Sequence, residues 1–197
     1  MTRKILIVGA AFAALSLAAC GDKTETKGAA TPSEQAATPD ANPAATVPTM
    51  ADESKAPDFV AKAVANDMYE IEAAKIALKR STNAEVKAFA KMMADGHTLT
   101  SEGLKAAIAA SGQTLTPPTM LPSDLQDKID DLNKSSDKDF DKTYADDQVD
   151  VHQAALNLLQ RYAQDGDVAT LKVFAADTAP KVQEHLNKAE GLKNGMK

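Results

Sequence analysis

The chain has no tryptophan, a single cysteine, and three tyrosines and five phenylalanines among its 197 residues. One cysteine excludes an intramolecular disulfide, so no disulfide framework holds this fold. Aromatics make up only 4% of the chain, and alanine is abundant. From Asp58 onward there is almost no β-branched alternation of the kind that marks a half-buried strand, and no strand is expected. Positive charge is in deficit, with 22 Lys and Arg against 28 Asp and Glu, a formal charge of −6. That balance disfavours nucleic acid and direct binding to anionic lipid. The common catalytic signatures are missing too: no Gly-x-Ser-x-Gly, no phosphate-cradling glycine loop and no His-Glu-x-x-His.

What is present begins at the N-terminus. Arg3 and Lys4 precede an apolar segment from Ile5 to Ala19, and Cys20 follows. A basic start, a short apolar run and small residues before a break make an export signal. The run falls short of the about 20 apolar residues that span a bilayer. Leu17-Ala18-Ala19-Cys20 resembles the bacterial lipobox, which implies cleavage before Cys20 and acylation of its thiol and new amino group. Acylation also consumes a thiol that would otherwise be open to oxidation in an exported protein, and two or more acyl chains anchor stably where one does not. Residues 1–19 therefore read as a lipoprotein signal peptide and Cys20 as the lipidation site. The mature chain is expected at −8 once Arg3 and Lys4 are removed from the −6 total. Gly21 after the cysteine, in place of an aspartate, favours the outer membrane over the inner, with the protein facing the periplasm and the membrane as its partner through Cys20.

Residues 20–57 are rich in Ala, Thr and Pro and hold five of the nine prolines, Pro32, Pro39, Pro43, Pro48 and Pro57. Such a segment buries too little apolar surface to offset its ordering entropy and is expected to be a disordered tether. Residues 58–197 suffice for one domain with one core. Helix is expected throughout: Asp58–Arg80 with Val60, Val64, Met68, Ile71 and Leu78 inward; a second helix opened by a capping box at Thr82 and Glu85 and closed at Ser111-Gly112; a short helix from a second capping box, Ser123 to Gln126, to about Asn133; Asp139–Gln164; and Asp167 to about Lys193, kinked or restarted at Pro180. Long helices joined by turns, with one longer connection over Thr114–Pro122, describe an all-α four-helix bundle with a short extra helix.

The stretch KMMADGHTLTSEG, residues 91–103, sets a histidine on an apolar stripe, since Val86, Phe89, Met93, His97, Thr100, Leu104 and Ile108 recur every three or four residues. His152 follows Val151, and His185 precedes Leu186. Three imidazoles on three helices are what a bundle core uses to hold a Zn, Cu, Fe or Ni ion, with Glu70 on the first helix as a fourth candidate. Ordinary hydrogen-bonded packing is the alternative reading. The helical spacing of di-iron bundles, Glu three residues before His, is absent: those positions hold Ala94, Val149 and Val182. The aspartates between Asp137 and Asp150 lack the spacing of a calcium loop and read as a solvated face.

Phe59-Val60, Glu70-Ile71, VKAFAKMMADGHT, FDKTYADDQVDVHQ and PKVQEHL together resemble the bacterial exported family known as domain of unknown function 4142. That resemblance implies a ferritin-like up-and-down bundle over Asp58–Lys193, and recurring positions at Glu70, Met93, His97, Phe140, Asp141, Tyr144, His152, Pro180 and His185. It implies no activity. The family usually carries Asp directly before the first histidine; Gly96 stands there, with Asp95 one step back. The expectation is a lipid-anchored, non-enzymatic envelope protein with a metal or proton-responsive site at Glu70, His97, His152 and His185, supported by Asp95 and Tyr144. The competing readings are a ferritin-like metal-dependent oxidoreductase or storage protein, and a metal-free module that binds a protein partner whose identity the residues do not give.

Overall fold

The computed structural model describes residues 52–196. The expected signal peptide, Cys20 and the expected tether as far as residue 51 lie outside them. Five helices follow in order: α1 (Ala56–Arg80), α2 (Ala84–Ala110), α3 (Ser123–Lys134), α4 (Phe140–Asp165) and α5 (Ala169–Gly195), with no strand among the described residues. None of these helices is long and apolar enough to cross a membrane.

Connection lengths set the topology. Ser81–Asn83 turns α1 into α2, and Gly166–Val168 turns α4 into α5, so each pair is antiparallel. Between α2 and α4 the chain must travel the length of the bundle, through the proline-rich stretch and α3. The ends show where it goes. Asp167, after α4, accepts a hydrogen bond from the Ala56 amide at the start of α1, while Arg80, at the end of α1, lies over the Phe140 ring at the start of α4. Thr170 at the head of α5 donates to the carbonyl of Ala107 at the tail of α2. Around the ring α1–α2–α5–α4 every neighbour is therefore antiparallel, and one long crossover closes it.

Local chemistry explains the boundaries, in places differently from the sequence expectation. Helix α1 starts at Ala56, two residues early, because Pro57 suits the first turn, where a missing amide hydrogen costs nothing. The cap of α2 is Asn83, which accepts from the Glu85 amide at 2.8 Å, so the Thr82 capping box does not form. Ser123 is already inside α3, with Pro122 as its cap, and the second capping box fails for the same reason of register. Gly112 takes φ +66°, the left-handed exit expected after α2. Helix α5 is continuous across Pro180, although the ring deprives the Ala176 carbonyl of its helical donor.

The stripe of α1 departs most from expectation. Val64, Met68 and Ile71 are only half-buried and Leu78 is exposed; the inward positions are Phe59, Val60, Ala65, Tyr69, Ala73, Ala74 and Ala77, together with the acids Asp67 and Glu70. Alanines on this face let the neighbouring helices approach closely. The core divides into two apolar clusters. One gathers Tyr69, Phe89, Met93, Phe140, Tyr144 and Leu192. The other gathers Phe59, Leu104, Leu159, Tyr162, Leu171 and Leu186, with the Phe59 and Tyr162 rings stacked at 3.8 Å. Asp67, Glu70, His97, Gln148 and His152 are buried but belong to neither.

Arg80 fastens the crossover to the bundle. Its guanidinium donates to the carbonyls of Leu132 at 2.7 Å, Asn133 at 3.0 Å and Ser135 at 2.7 Å. Asp137 pairs with it at 3.0 Å. Arg80→Ala leaves those carbonyls without their donor and is expected to cost about 2 kcal/mol in urea denaturation; Arg80→Lys recovers little of it, because an ammonium lacks the fork.

Candidate metal centre

Each histidine sits in the middle of a different helix and turns inward because its stripe does. His97 comes from α2, His152 from α4 and His185 from α5. Their ring centroids are 5.5 Å apart for His97 and His152, and 5.6 Å for each of the other two pairs. One nitrogen from each ring lies within 4.8 Å of the others. The cluster is nearly an equilateral triangle between the two apolar clusters.

The chemistry behind each ring decides which nitrogen is free. His97 Nδ1 lies 2.8 Å from Asp67 Oδ1, and a carboxylate only accepts, so Nδ1 carries the hydrogen and Nε2 points away. Ser101 Oγ donates to the other Asp67 oxygen at 3.0 Å and holds it in place. His152 Nδ1 donates to the Gln148 carbonyl one turn back, at 2.8 Å, which again leaves Nε2 free. Glu70 Oε1 approaches His152 Nδ1 at 3.4 Å, and Gln148 Nε2 donates to Glu70 Oε2 at 2.8 Å. The buried atoms left with no hydrogen-bond partner include His97 Nε2, His152 Nε2 and His185 Nδ1. A metal-binding imidazole is commonly held this way, its far nitrogen donating to a carboxylate or carbonyl.

The charge states follow from burial. Burial pushes the Glu70 carboxyl up to about 7; the His97 charge and the Gln148 hydrogen bond oppose this, and Asp67 adds to it. Burial alone would lower His97, but the Asp67 hydrogen bond and the charges of Glu70 and Asp67 outweigh it and raise the imidazole. His152 is pulled down to about 3 by burial and by the His97 charge, against the Gln148 carbonyl. His185 also falls to about 3, through burial and then the charges of His97 and His152. At neutral pH His152 and His185 are therefore uncharged, and of the three rings His97 is the one favoured to take up a second proton.

This donor set fits a divalent transition ion. Neutral imidazole suits Zn, Cu, Fe and Ni. A tetrahedral ion with nitrogens at 2.0–2.1 Å would set them about 3.4 Å apart, so ring movements of about 1 Å complete the contraction. Asp67 behind His97 and Glu70 behind His152 supply two carboxylates to balance two positive charges in a buried place.

The other candidates stand elsewhere. Glu70 lies at the back of His152, outside the group of three. Tyr144 is buried beside Glu70, and its hydroxyl has no hydrogen-bond partner. Asp95 is on the outer face of α2, paired with Lys91 at 2.7 Å, away from the histidines. Sequence reasoning missed Asp67 and Gln148. Asp67 was findable, since it lies three residues before Glu70 and shares its helix face.

The family model described as a domain of unknown function, DUF4142, matches residues 38–192. The chain belongs to this family. No curated protein and no solved structure matches it. The match covers all three histidines, Asp67, Glu70 and Gln148, and begins ahead of α1.

Proposed function

We propose that this is a metal-binding helical bundle of the cell envelope, non-enzymatic, which holds one divalent transition ion on His97 Nε2, His152 Nε2 and His185 Nδ1. The observation that carries the reading is that one nitrogen from each of the three rings lies within 4.8 Å of the others, while His97 Nε2, His152 Nε2 and His185 Nδ1 have no hydrogen-bond partner. Two further features support it: the far nitrogens of His97 and His152 are already engaged, and two acids lie behind the rings. The lipobox-like Leu17–Cys20 supports a lipid anchor at Cys20, with the bundle facing the periplasm on a tether, at the outer membrane because Gly21 follows the cysteine. The single long crossover supports a place among ferritin-like bundles. A di-iron oxidoreductase or iron store fits less well, because the cluster is all nitrogen and lacks the carboxylate bridges of such sites.

The test is metal content by plasma mass spectrometry on purified protein never exposed to chelator, for the parent and the His97→Ala, His152→Ala double variant. About one ion per chain in the parent and none in the variant is the expected result. No metal in either, after incubation with Zn, Cu, Mn and Fe, would reduce the cluster to packing and move the search for function to a protein-binding surface.

A further inference from the structure

The three histidines are not equally enclosed. His97 and His152 are each 1% exposed, whereas His185 is only half-buried. His97 is backed by Asp67, and His152 by Gln148 and Glu70, while no hydrogen bond fixes His185 Nδ1. The His185 ring forms the inner wall of a groove of about 490 Å³ between α2 and α5. Gly96 and Gly103 line it from α2, and Asp177, Lys181 and Glu184 from α5. A larger groove of about 740 Å³, bordered by α1, α4 and the proline-rich connection, is lined by no histidine.

Gly96 accounts for the position of the ring. A Cβ at this position would stand 3.0 Å from His185 Cε1 and 3.4 Å from Nε2, closer than a side chain tolerates without moving. The imidazole therefore lies against bare backbone.

We infer that a metal ion enters and leaves the centre through the α2–α5 groove, and that His185, seated against Gly96, is the ligand that swings to admit it. The inference rests on the metal reading above and adds the route and the moving ligand. His97 and His152 form the fixed part of the site. His185 closes over the ion last and releases it first. The groove carries Asp177 and Glu184 against Lys181, a balance that favours an incoming cation.

The experiment is stopped-flow uptake of Co²⁺ by the purified protein, with release followed on addition of excess chelator. Lys181→Glu makes the groove more acidic one helical turn before His185. Lys138→Glu, in the exposed turn before α4, makes the same change in net charge at a distance. The expected result is association severalfold faster for Lys181→Glu at low ionic strength, fading with salt, and unchanged for Lys138→Glu. Gly96→Ala folds, because the group it meets is a side chain that can give way and alanine favours helix. It is expected to release Co²⁺ about tenfold faster with association little changed. Equal acceleration by both charge variants, or a Gly96→Ala protein that keeps Co²⁺ as long as the parent, overturns the route. A parent that takes up no Co²⁺ overturns the metal reading itself, before any variant is compared.

Discussion

At pH 8 and without metal, Glu70→Gln is expected to stabilise the protein by about 3 kcal/mol, a gain that vanishes by pH 4. Glu70 is fully buried, and its folded value is raised from 4.5 to about 7. An acid raised on folding favours the folded state only while protonated. Its contribution is complete below 4.5 and is lost as pH climbs to about 7, at about 1.4 kcal/mol per pH unit. Glutamine never ionises and avoids that loss, and its carbonyl can still accept from Gln148. His152 acts in the opposite direction. Its folded value of about 3 lies below the ordinary 6.5, so its contribution is present above 6.5 and falls away as pH drops toward 3. His185, also held at about 3, adds a second slope of the same sign, so between 6.5 and 4.5 Glu70 offsets only one of the two histidine slopes in the parent. In Glu70→Gln both histidine slopes stand unopposed, so the variant loses stability on acidification more steeply than the parent. Urea denaturation at pH 4, 6 and 8 decides it; equal stabilities at pH 8, or the same gain at pH 4, would refute the assignment.

That cost points to function. A buried carboxyl whose Oε1 has no hydrogen-bond partner destabilises the metal-free chain at neutral pH. A divalent ion on the far side of His152 reverses the sign, because the ionised form then has a cation to face. The same substitution should therefore stabilise the empty protein and weaken its hold on metal.

The helices were legible because the apolar period survives in α2 and α4: Val86, Phe89, Met93, His97 and Leu104 are all buried, as are Phe140, Tyr144, Val151, Ala155, Leu158 and Tyr162. In α1 the period misled. Its inward face is built from alanine and two acids, so the larger apolar residues, Val64, Met68 and Ile71, drew the stripe toward the flank. Capping boxes failed by one residue: Asn83 is as good a cap as Thr82 and took its place, while α3 starts at Ser123 itself, one position earlier than a Ser123 cap requires. The histidines could be placed on inward stripes, but no spacing within one helix reports where three helices aim. Their convergence depends on the crossover, which sets α4 antiparallel to α1 and brings His152 level with Glu70. Asp95 was favoured for its nearness to His97 in sequence, yet two residues along a helix is a turn of about 200° to another face.

Asp67→Ala is expected to cost about 3–5 kcal/mol in the metal-free protein, because it leaves the buried His97 Nδ1–H with no acceptor, and to weaken metal binding by about 10- to 100-fold. His97 is raised on folding by Asp67, so the pair contributes most below the ordinary 6.5 and less as pH rises through the folded value. The Asp67→Ala deficit should accordingly be larger at pH 5 than at pH 9. Asp67→Asn separates orientation from charge. Its carbonyl still accepts from Nδ1 and keeps the ring turned, so most of the stability at pH 9 returns. Its missing charge leaves Glu70 as the one acid behind the cluster, so a deficit in Zn²⁺ affinity persists in competition titrations. If asparagine restored affinity along with stability, Asp67 would only orient the ring, and the balance of two carboxylates against a divalent ion would be wrong. If Asp67→Ala bound Zn²⁺ as tightly as the parent, His97 would not be a ligand.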